Sequence, residues 1–404
     1  MVADITLISP YPEAGRRPSS GVAWYTQGLA HALTEAGLGV TVVAPEAGRA
    51  RTTEHDGRVR VDRRFPSGAS GLMRAAGAAV ANGTPVTHVQ HETFLYGGPD
   101  SVPAMLMALG RLRRRNRGPV VTMHQVVAPE SVDRAFTGMH RVGIPPAVAR
   151  AGLSTVQSSI SRLASRVIVH EEAFKKVLPS SVVLPLGSDT SPPPEPGTSR
   201  QAGDLRRRLD ATGRALVVLC FGFVAPYKGL EPALRAAELA GPRVKMIVAG
   251  AEHPRLSGQG YLDGLRDRFG HAATFTGYVG DDDVGAWFDA ADVVLLNYPK
   301  PFSSSGVLAQ AIHHDVPVLL SPALARVVGF PAETAAPDDP AGLARSLESL
   351  ARERVQLGHL LDLTRRLGAG RSWAEVAERH IAIYEEVIDA QRASGWTHQL
   401  RSRR

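Results

Sequence analysis

The sequence predicts an α/β protein of two doubly wound domains facing a central cleft. Three observations lead there. Short runs rich in Val, Ile and Leu alternate with segments of helical spacing along the 404 residues. Those runs are continuously apolar rather than alternating, as strands covered on both faces must be. The pattern breaks once, between Ser188 and Gly203, where Pro192, Pro193, Pro194 and Pro196 interrupt any helix and hold the backbone extended.

In the first half the predicted strands are Ile5 to Ser9, Gly39 to Ala44, Val86 to Gln90, Val120 to His124, Val167 to His170 and Val182 to Pro185. In the second half they are Leu216 to Phe223, Val244 to Ala249, Ala273 to Thr276, Val293 to Leu296 and Val318 to Ser321. Ser372 to Ala390 carries Val376, Ala377, Ile381, Tyr384 and Val387 at helical spacing behind a serine cap, so a long terminal helix is expected, followed by a frayed tail over 391–404. The expected division is a first domain over 1–190, with 372–404 packing back onto it, and a second over 200–371. Ligands of such sheets bind beyond the carboxyl ends of the strands, which makes the cleft the default site.

Composition excludes several classes. With 44% hydrophobic and 21% charged residues, the chain is neither a disordered tail nor a fibre nor a disulfide miniprotein. Lys and Arg number 46 against 39 acids, which suggests an anionic partner and leaves nucleic acid, a membrane surface and phosphorylated metabolites open. Cys220 is alone, so no internal disulfide can form. Asp4 stands where an export signal would carry bases, and the longest apolar stretches fall short of the ~20 residues of a membrane span. A soluble, cytoplasmic protein is expected.

Three loops are candidates for binding phosphate. The first ends Pro18-Ser19-Ser20-Gly21 before a helical pattern, and free N–H groups at a helix start suit an anion; Ser20 as a simple cap is the plainer alternative. The second, Phe221 to Gly229, has Gly222 for close approach and Lys228 as a point charge. The third, Lys300 to Val307, offers Ser303, Ser304 and Ser305 before Gly306. A solvated turn with a capping serine explains each singly; their shared position at strand ends favours a diphosphate site. There is no GxGxxG and no Walker loop.

The stretches PSSGVAWYTQGLAHALTEAGLGVTVVAP, VQHETFLYGG, VVTMHQV, FGFVAPYKGL, IVAGAEH, FTGYV, ADVVLLNYPKPFSSSGVLAQAIHHDVPVL and SWAEVAERHIAIYEEV follow one another as in family-4 glycosyltransferases, which this sequence resembles over nearly its whole length. The resemblance implies the GT-B fold of two Rossmann-like domains. It also implies a retaining transfer of sugar from a nucleotide-sugar donor to a small-molecule, lipid or glycan acceptor, as in carbohydrate or natural-product biosynthesis, with no cofactor and no bound metal. It would place Gly21 and Gly222 near the donor phosphates, His124 beside the donor sugar, Lys228 on the diphosphate and Tyr278 and Val279 at the base. Ser304, Ser305, Gly306 and Val307 would form the helix start over the phosphates, and Gln310 would hold the ribose. His91 and Glu92 would orient hydroxyls at the cleft.

The sequence also departs from the family. Its usual pair of glutamates is absent, with Phe302 or Ser303 at the first position and Gln310 at the second, as in a branch carrying a serine-rich SSGV. Ala225 or Phe223 stands where an arginine often pairs with the lysine, and Leu186 replaces a histidine. Without an evident nucleophilic carboxylate, front-face attack by the acceptor fits better than a covalent glycosyl-enzyme. A nucleotide-sugar-binding protein without transfer activity and a sugar-nucleotide epimerase remain the alternatives.

Other signals read as structural. Asp281, Asp282 and Asp283 suit the first turn of a helix, and His313-His314-Asp315 lacks ligand spacing, so no metal is expected. The basic run Arg111 to Arg117 has no interleaved aromatics, which argues against nucleic acid and leaves a solvated helix end or a membrane-surface contact.

Overall fold

Continuous burial decides where the strands lie, because a run such as Leu216 to Phe221 is stable only when helices cover both of its faces. The computed structural model describes residues 4–13, 20–48, 51–66, 68–93, 95–98, 101–115, 118–139, 143–188, 200–210, 212–253, 256, 258 and 260–401. Most of the proline-rich stretch expected to join the domains lies outside the described residues.

Two compact units result. The first comprises Met1–Gly187, Phe302–Ser304 and Trp373–Arg404; the second comprises Ser188–Pro301 and Ser305–Ser372. The short Phe302–Ser304 segment belongs to the first unit, where it is hydrogen-bonded. Val126 N–H donates to the Phe302 carbonyl at 2.9 Å, Gln125 and Ser303 form an antiparallel bridge, and the Phe302 ring meets Phe136 edge-on at 5.9 Å.

The first unit holds β1 (Ile5–Ile8), β2 (Val40–Pro45), β3 (Thr52–Asp56), β4 (Val59–Phe65), β5 (Val86–His91), β6 (Pro119–Met123), β7 (Arg166–Val169) and β8 (Val182–Val183). Their order is β3-β4-β2-β1-β5-β6-β7-β8, parallel throughout except for the antiparallel β3–β4 pair. Ile5 pairs with Val40 on one side and Val86 on the other, so the order reverses between β1 and β5. The β3–β4 hairpin was not expected, since RTTEHDGRVRVDRRF reads as charged surface. Asp56 pairs with Val59, so the two-residue turn is Gly57-Arg58, and the glycine at its first position, with φ +58°, was the usable signal. Arg63 is buried in β4 because its guanidinium donates to the Pro12 carbonyl at 2.7 Å and to Glu54 at 2.8 Å.

The terminal helix runs Trp373–Arg401, so the segment expected to fray continues the helix through Arg401. It lies in the first unit, where Trp373, Val376, Ala377, Tyr384 and Val387 share a core with Tyr25, Leu29 and Val120.

The second unit holds β9 (Leu216–Phe221), β10 (Val244–Ala249), β11 (Ala273–Gly277), β12 (Val293–Leu296) and β13 (Val318–Leu320) in the order β11-β10-β9-β12-β13, all parallel. Here the order reverses between β9 and β12. Both sheets are therefore doubly wound, and in each the loops after the two central strands open at the position where such sheets bind ligands.

Candidate functional site

In the second unit, the loop after β9 carries Lys228 and the loop after β12 carries Tyr298 and Ser305. Lys228 Nζ donates to Tyr298 Oη at 2.6 Å and lies 4.5 Å from the centre of that ring. The tyrosine oxygen stands 3.3 Å from Ser305 Oγ, which in turn accepts from Leu308 N at 3.3 Å and caps the helix Gly306–His313. Because lysine can only donate, the tyrosine O–H is left to donate to Ser305, which gives one continuous chain from ammonium to helix N-terminus. Burial lowers the Lys228 pKa below the usual lysine value and raises that of Tyr298. A β-carbon on Gly222 would lie 3.4 Å from Val307 and 3.5 Å from Lys228 Nζ, so Gly222, Lys228 and Val307 converge.

The turn that presents Lys228 depends on Gly229. Its φ is +62°, and a β-carbon there would fall 2.0 Å from the Asn297 carbonyl, while Asn297 Nδ2 donates to the Gly229 carbonyl at 2.9 Å. Asn297 thus fastens the loop after β9 to the end of β12. Gln310 is half-buried on the same helix as Val307, four residues before His314. Tyr278 and Val279 follow β11, one strand beyond β10, and Tyr278 is 56% exposed.

In the first unit, His91 ends β5 and Glu92 follows it, His124 and Gln125 follow β6, and His170 and Glu171 follow β7. Gln125 Nε2 donates to Glu92 Oε1 at 2.7 Å, and Ser304 Oγ donates to Glu171 Oε1 at 2.6 Å. Ser304, expected with Ser305 over a diphosphate, thus has its hydroxyl held by a buried carboxylate of this unit. Gly21 opens the helix Gly21–Glu35 next to Ser20, whose side chain accepts from Ala23 N at 3.2 Å.

His124 is bound on both ring nitrogens, and with neutral rings the partners allow the following pattern of donors and acceptors. His170 Nδ1 lies 2.9 Å from the Leu184 carbonyl, which only accepts, so His170 Nδ1 carries the proton and its Nε2 accepts. That Nε2 stands 3.1 Å from His124 Nδ1, which therefore donates. His124 Nε2 then accepts, and its partner is the Gln90 side-chain amide at 2.8 Å. The amide must present its NH2 group there and its oxygen toward His88 Nε2, since oxygen and nitrogen of an amide are told apart only by their partners. His88 Nε2–H also reaches Thr122 Oγ1 at 2.7 Å, and His88 Nδ1 accepts from Tyr384 Oη at 2.7 Å. Neutral rings at His88, His91 and His124 are in keeping with burial that holds His88 and His124 well below the ordinary histidine value and His91 down to about 4.

Three groups escaped the sequence reading: Gln90, Glu171 and Tyr298. Each lies within two residues of a strand's carboxyl end, and the general rule for strand ends was the only signal pointing to them. Among the described residues no cluster of three His, Cys, Asp or Glu is placed to hold a metal, and no helix is long and apolar enough to cross a membrane.

Neither a family model nor a curated relative matches the chain. Solved structures do. Sucrose-phosphate synthase from Thermosynechococcus elongatus is 20% identical, with 96% of this chain and 100% of that one aligned at a TM-score of 0.72. Trehalose 6-phosphate synthase from Burkholderia multivorans is 13% identical over 98% of this chain and 99% of that one, at 0.68. HepE of Anabaena, solved in complex with UDP-glucose, is 16% identical over 95% and 99%, at 0.66. The chain has the GT-B fold. At these identities the likeness speaks for the fold alone, and the chemistry must come from the residues.

Proposed function

We propose that the chain is a retaining glycosyltransferase that moves a sugar from a nucleoside-diphosphate sugar to an acceptor hydroxyl in the cytoplasm without a required metal. The observation that carries this reading is the Lys228–Tyr298–Ser305 chain at the reversal between β9 and β12, ending on a helix N-terminus. A cation, two hydroxyls and free N–H groups suit a diphosphate leaving group, whose charge grows as the glycosidic bond breaks. HepE's complexes with UDP and with UDP-glucose support a donor of this class.

In the reaction the acceptor oxygen bonds to the anomeric carbon as the bond from that carbon to the phosphate oxygen breaks. The acceptor proton passes to the departing phosphate, so attack and departure share one face and configuration is kept. Lys228 holds the developing phosphate charge, and Tyr298 fixes the ammonium. Gly222 leaves room for the phosphates, Ser305, Gly306 and Val307 aim the helix start, and Gln310 serves the ribose through neutral hydrogen bonds. Glu92 and His91 serve the acceptor hydroxyl. His124, engaged on both nitrogens, acts as a positioning residue that holds Gln90 and His170.

A thermal-shift panel of UDP-, GDP-, dTDP- and ADP-sugars tests the reading, because a ligand at ~100 times its Kd adds about 2.7 kcal/mol of stability. One base should raise the melting temperature of the native chain and do so much less for Lys228→Ala. Failure of all four, or an equal rise in the variant, contradicts it.

A further inference from the structure

Strands β5, β6 and β7 are neighbours in the sheet and follow one another in the chain, so right-handed crossovers place the helices Ser101–Arg114 and Pro146–Leu163 on one face. The two helices run side by side. Near their N-termini, Val102 and Met105 of one and Leu153 and Val156 of the other line a common apolar cavity of about 350 Å³. At the far end Arg113 Nη1 donates to the Arg162 carbonyl at 2.5 Å. What one helix shows to solvent therefore lies beside what the other shows.

Along the first helix Pro103, Met107 and Arg114 recur at intervals of four and seven, and along the second Val148, Gly152, Thr155 and Arg162 recur at four, three and seven, so each set forms one exposed stripe. Met107 is 54% exposed and Val148 55%, and Ile144, just before the second helix, is 44% exposed. Among the described residues these three are the large apolar side chains that the first unit leaves exposed. Single exposed apolar residues need no explanation, but their collection on one pair of helices marks a contact surface.

Charge is equally one-sided. From Ser101 to Pro129 and from Arg134 to His170 the sequence holds ten arginines and no acidic residue, with Asp100, Glu130, Asp133 and Glu171 at the borders. The fold accounts for part of this: Arg166 pairs with Glu386 at 3.3 Å, and arginines at a helix C-terminus complement its dipole. Each helix end carries only about half a negative charge, however, whereas Arg113, Arg114 and Arg162 are exposed there and Arg111 is half-buried. The excess is positive and faces outward.

We propose that this face of the first unit docks on an anionic phospholipid bilayer, with Met107, Ile144 and Val148 entering the interface and the arginines at the two helix ends lying over lipid phosphates. Aliphatic side chains beside basic ones suit the boundary between headgroups and acyl chains, whereas single-stranded nucleic acid is held on aromatic platforms. The inference rests on the surface of this unit and is independent of the glycosyltransferase reading.

The test is cosedimentation of the full chain with vesicles of phosphatidylcholine alone and of phosphatidylcholine with about 30% phosphatidylglycerol, at ~0.15 M salt. The anionic vesicles should bind at least tenfold tighter, and about 0.5 M salt should remove most of that advantage. Arg111→Gln, Arg114→Gln and Arg162→Gln combined should weaken binding about a hundredfold, at roughly fivefold per arginine. Met107→Ser with Val148→Ser keeps every charge and should weaken binding to the anionic vesicles about tenfold or more. All five side chains are at the surface, so the melting temperature of both variants and their UDP affinity by calorimetry should not change.

Equal binding to the two kinds of vesicle would overturn the proposal. So would anionic-vesicle affinity that survives Met107→Ser with Val148→Ser, since a merely cationic patch would bind as before. A single-stranded DNA oligonucleotide that binds more tightly than the anionic vesicles would overturn it in favour of a nucleic-acid surface. Failure of every nucleotide sugar in the thermal-shift panel would leave this inference standing, and failure of the vesicles would leave the donor reading standing.

Discussion

At the ends of β9 and β12 the second unit gathers an ammonium, a phenol and a capping serine, whereas at the ends of β5, β6 and β7 the first gathers three imidazoles, two carboxylates and an apolar cavity. Both sheets are doubly wound and reverse at their middle, so backbone geometry does not separate them. The side chains on the loops do. Donors and positive charge suit an anion, and acceptors beside apolar walls suit a hydroxyl on a carbon skeleton. A shared fold thus assigns position, and loop chemistry assigns ligand.

Acid should separate the two units most sharply. Burial lowers the pKa of His88, His91, His124 and His380 in the first unit, and that of His314 in the second. Their unfolded pKa is about 6.5, so between that and about 4, the native value of His91 and His380, the unfolded chain binds protons the native state refuses. Stability is therefore fully present above pH 6.5 and is lost as pH falls. Hydrogen exchange resolved by segment should show the first unit losing protection before the second as pH drops from 7 to 4.5. Equal loss in both units would break the contrast.

Lys228→Ala should cost donor affinity roughly 1.5–3 kcal/mol, the scale of a charged hydrogen bond. Calorimetry with UDP reads the first effect, and unchanged UDP affinity would remove Lys228 from the site.

Gly229→Ala should follow. A side chain at φ +62°, pressed against the Asn297 carbonyl, must shift the turn that presents Lys228. About 1–3 kcal/mol of stability should be lost, together with some UDP affinity. Denaturant melts and calorimetry on the same variant check both.

The outcome of these variants depends on how much of each unit could be read from the chain. Continuous apolar runs placed β1, β2, β5 to β7 and β9 to β13 within a residue or two, because burial on both faces leaves an unambiguous pattern. The β3–β4 hairpin was hard to read because Asp62 and Arg63 are buried beside Val59, Val61 and Phe65, which breaks the apolar pattern and is tolerable for Arg63 only with a partner such as Glu54. Lys228 and Ser305 stood out as residues on glycine-flanked loops. Tyr298 did not, since a tyrosine after an apolar strand reads as core until the lysine is seen beside it. The histidine network was equally hidden, because His88, His124, His170 and His380 meet only after three strands and the terminal helix have assembled.

The smallest effect is expected at Gln310. If its amide serves the ribose, Gln310→Glu should leave donor binding intact or slightly tighter, with a charge-assisted bond replacing a neutral one. Stability lost on this half-buried helix and not recovered on adding donor would remove the residue from the site and narrow the second unit's contribution to the diphosphate.

The central claim is tested most directly by following a nucleotide sugar, selected by the thermal-shift panel, with the chain in the presence and absence of a panel of acceptor alcohols (free sugars, an aromatic alcohol and a polyprenol), using NMR of the anomeric proton. The account predicts release of nucleoside diphosphate only when an acceptor is present, in one-to-one balance with a glycoside of the donor's own anomeric configuration. A donor that stays intact with every acceptor, or that epimerises without one, would contradict the account.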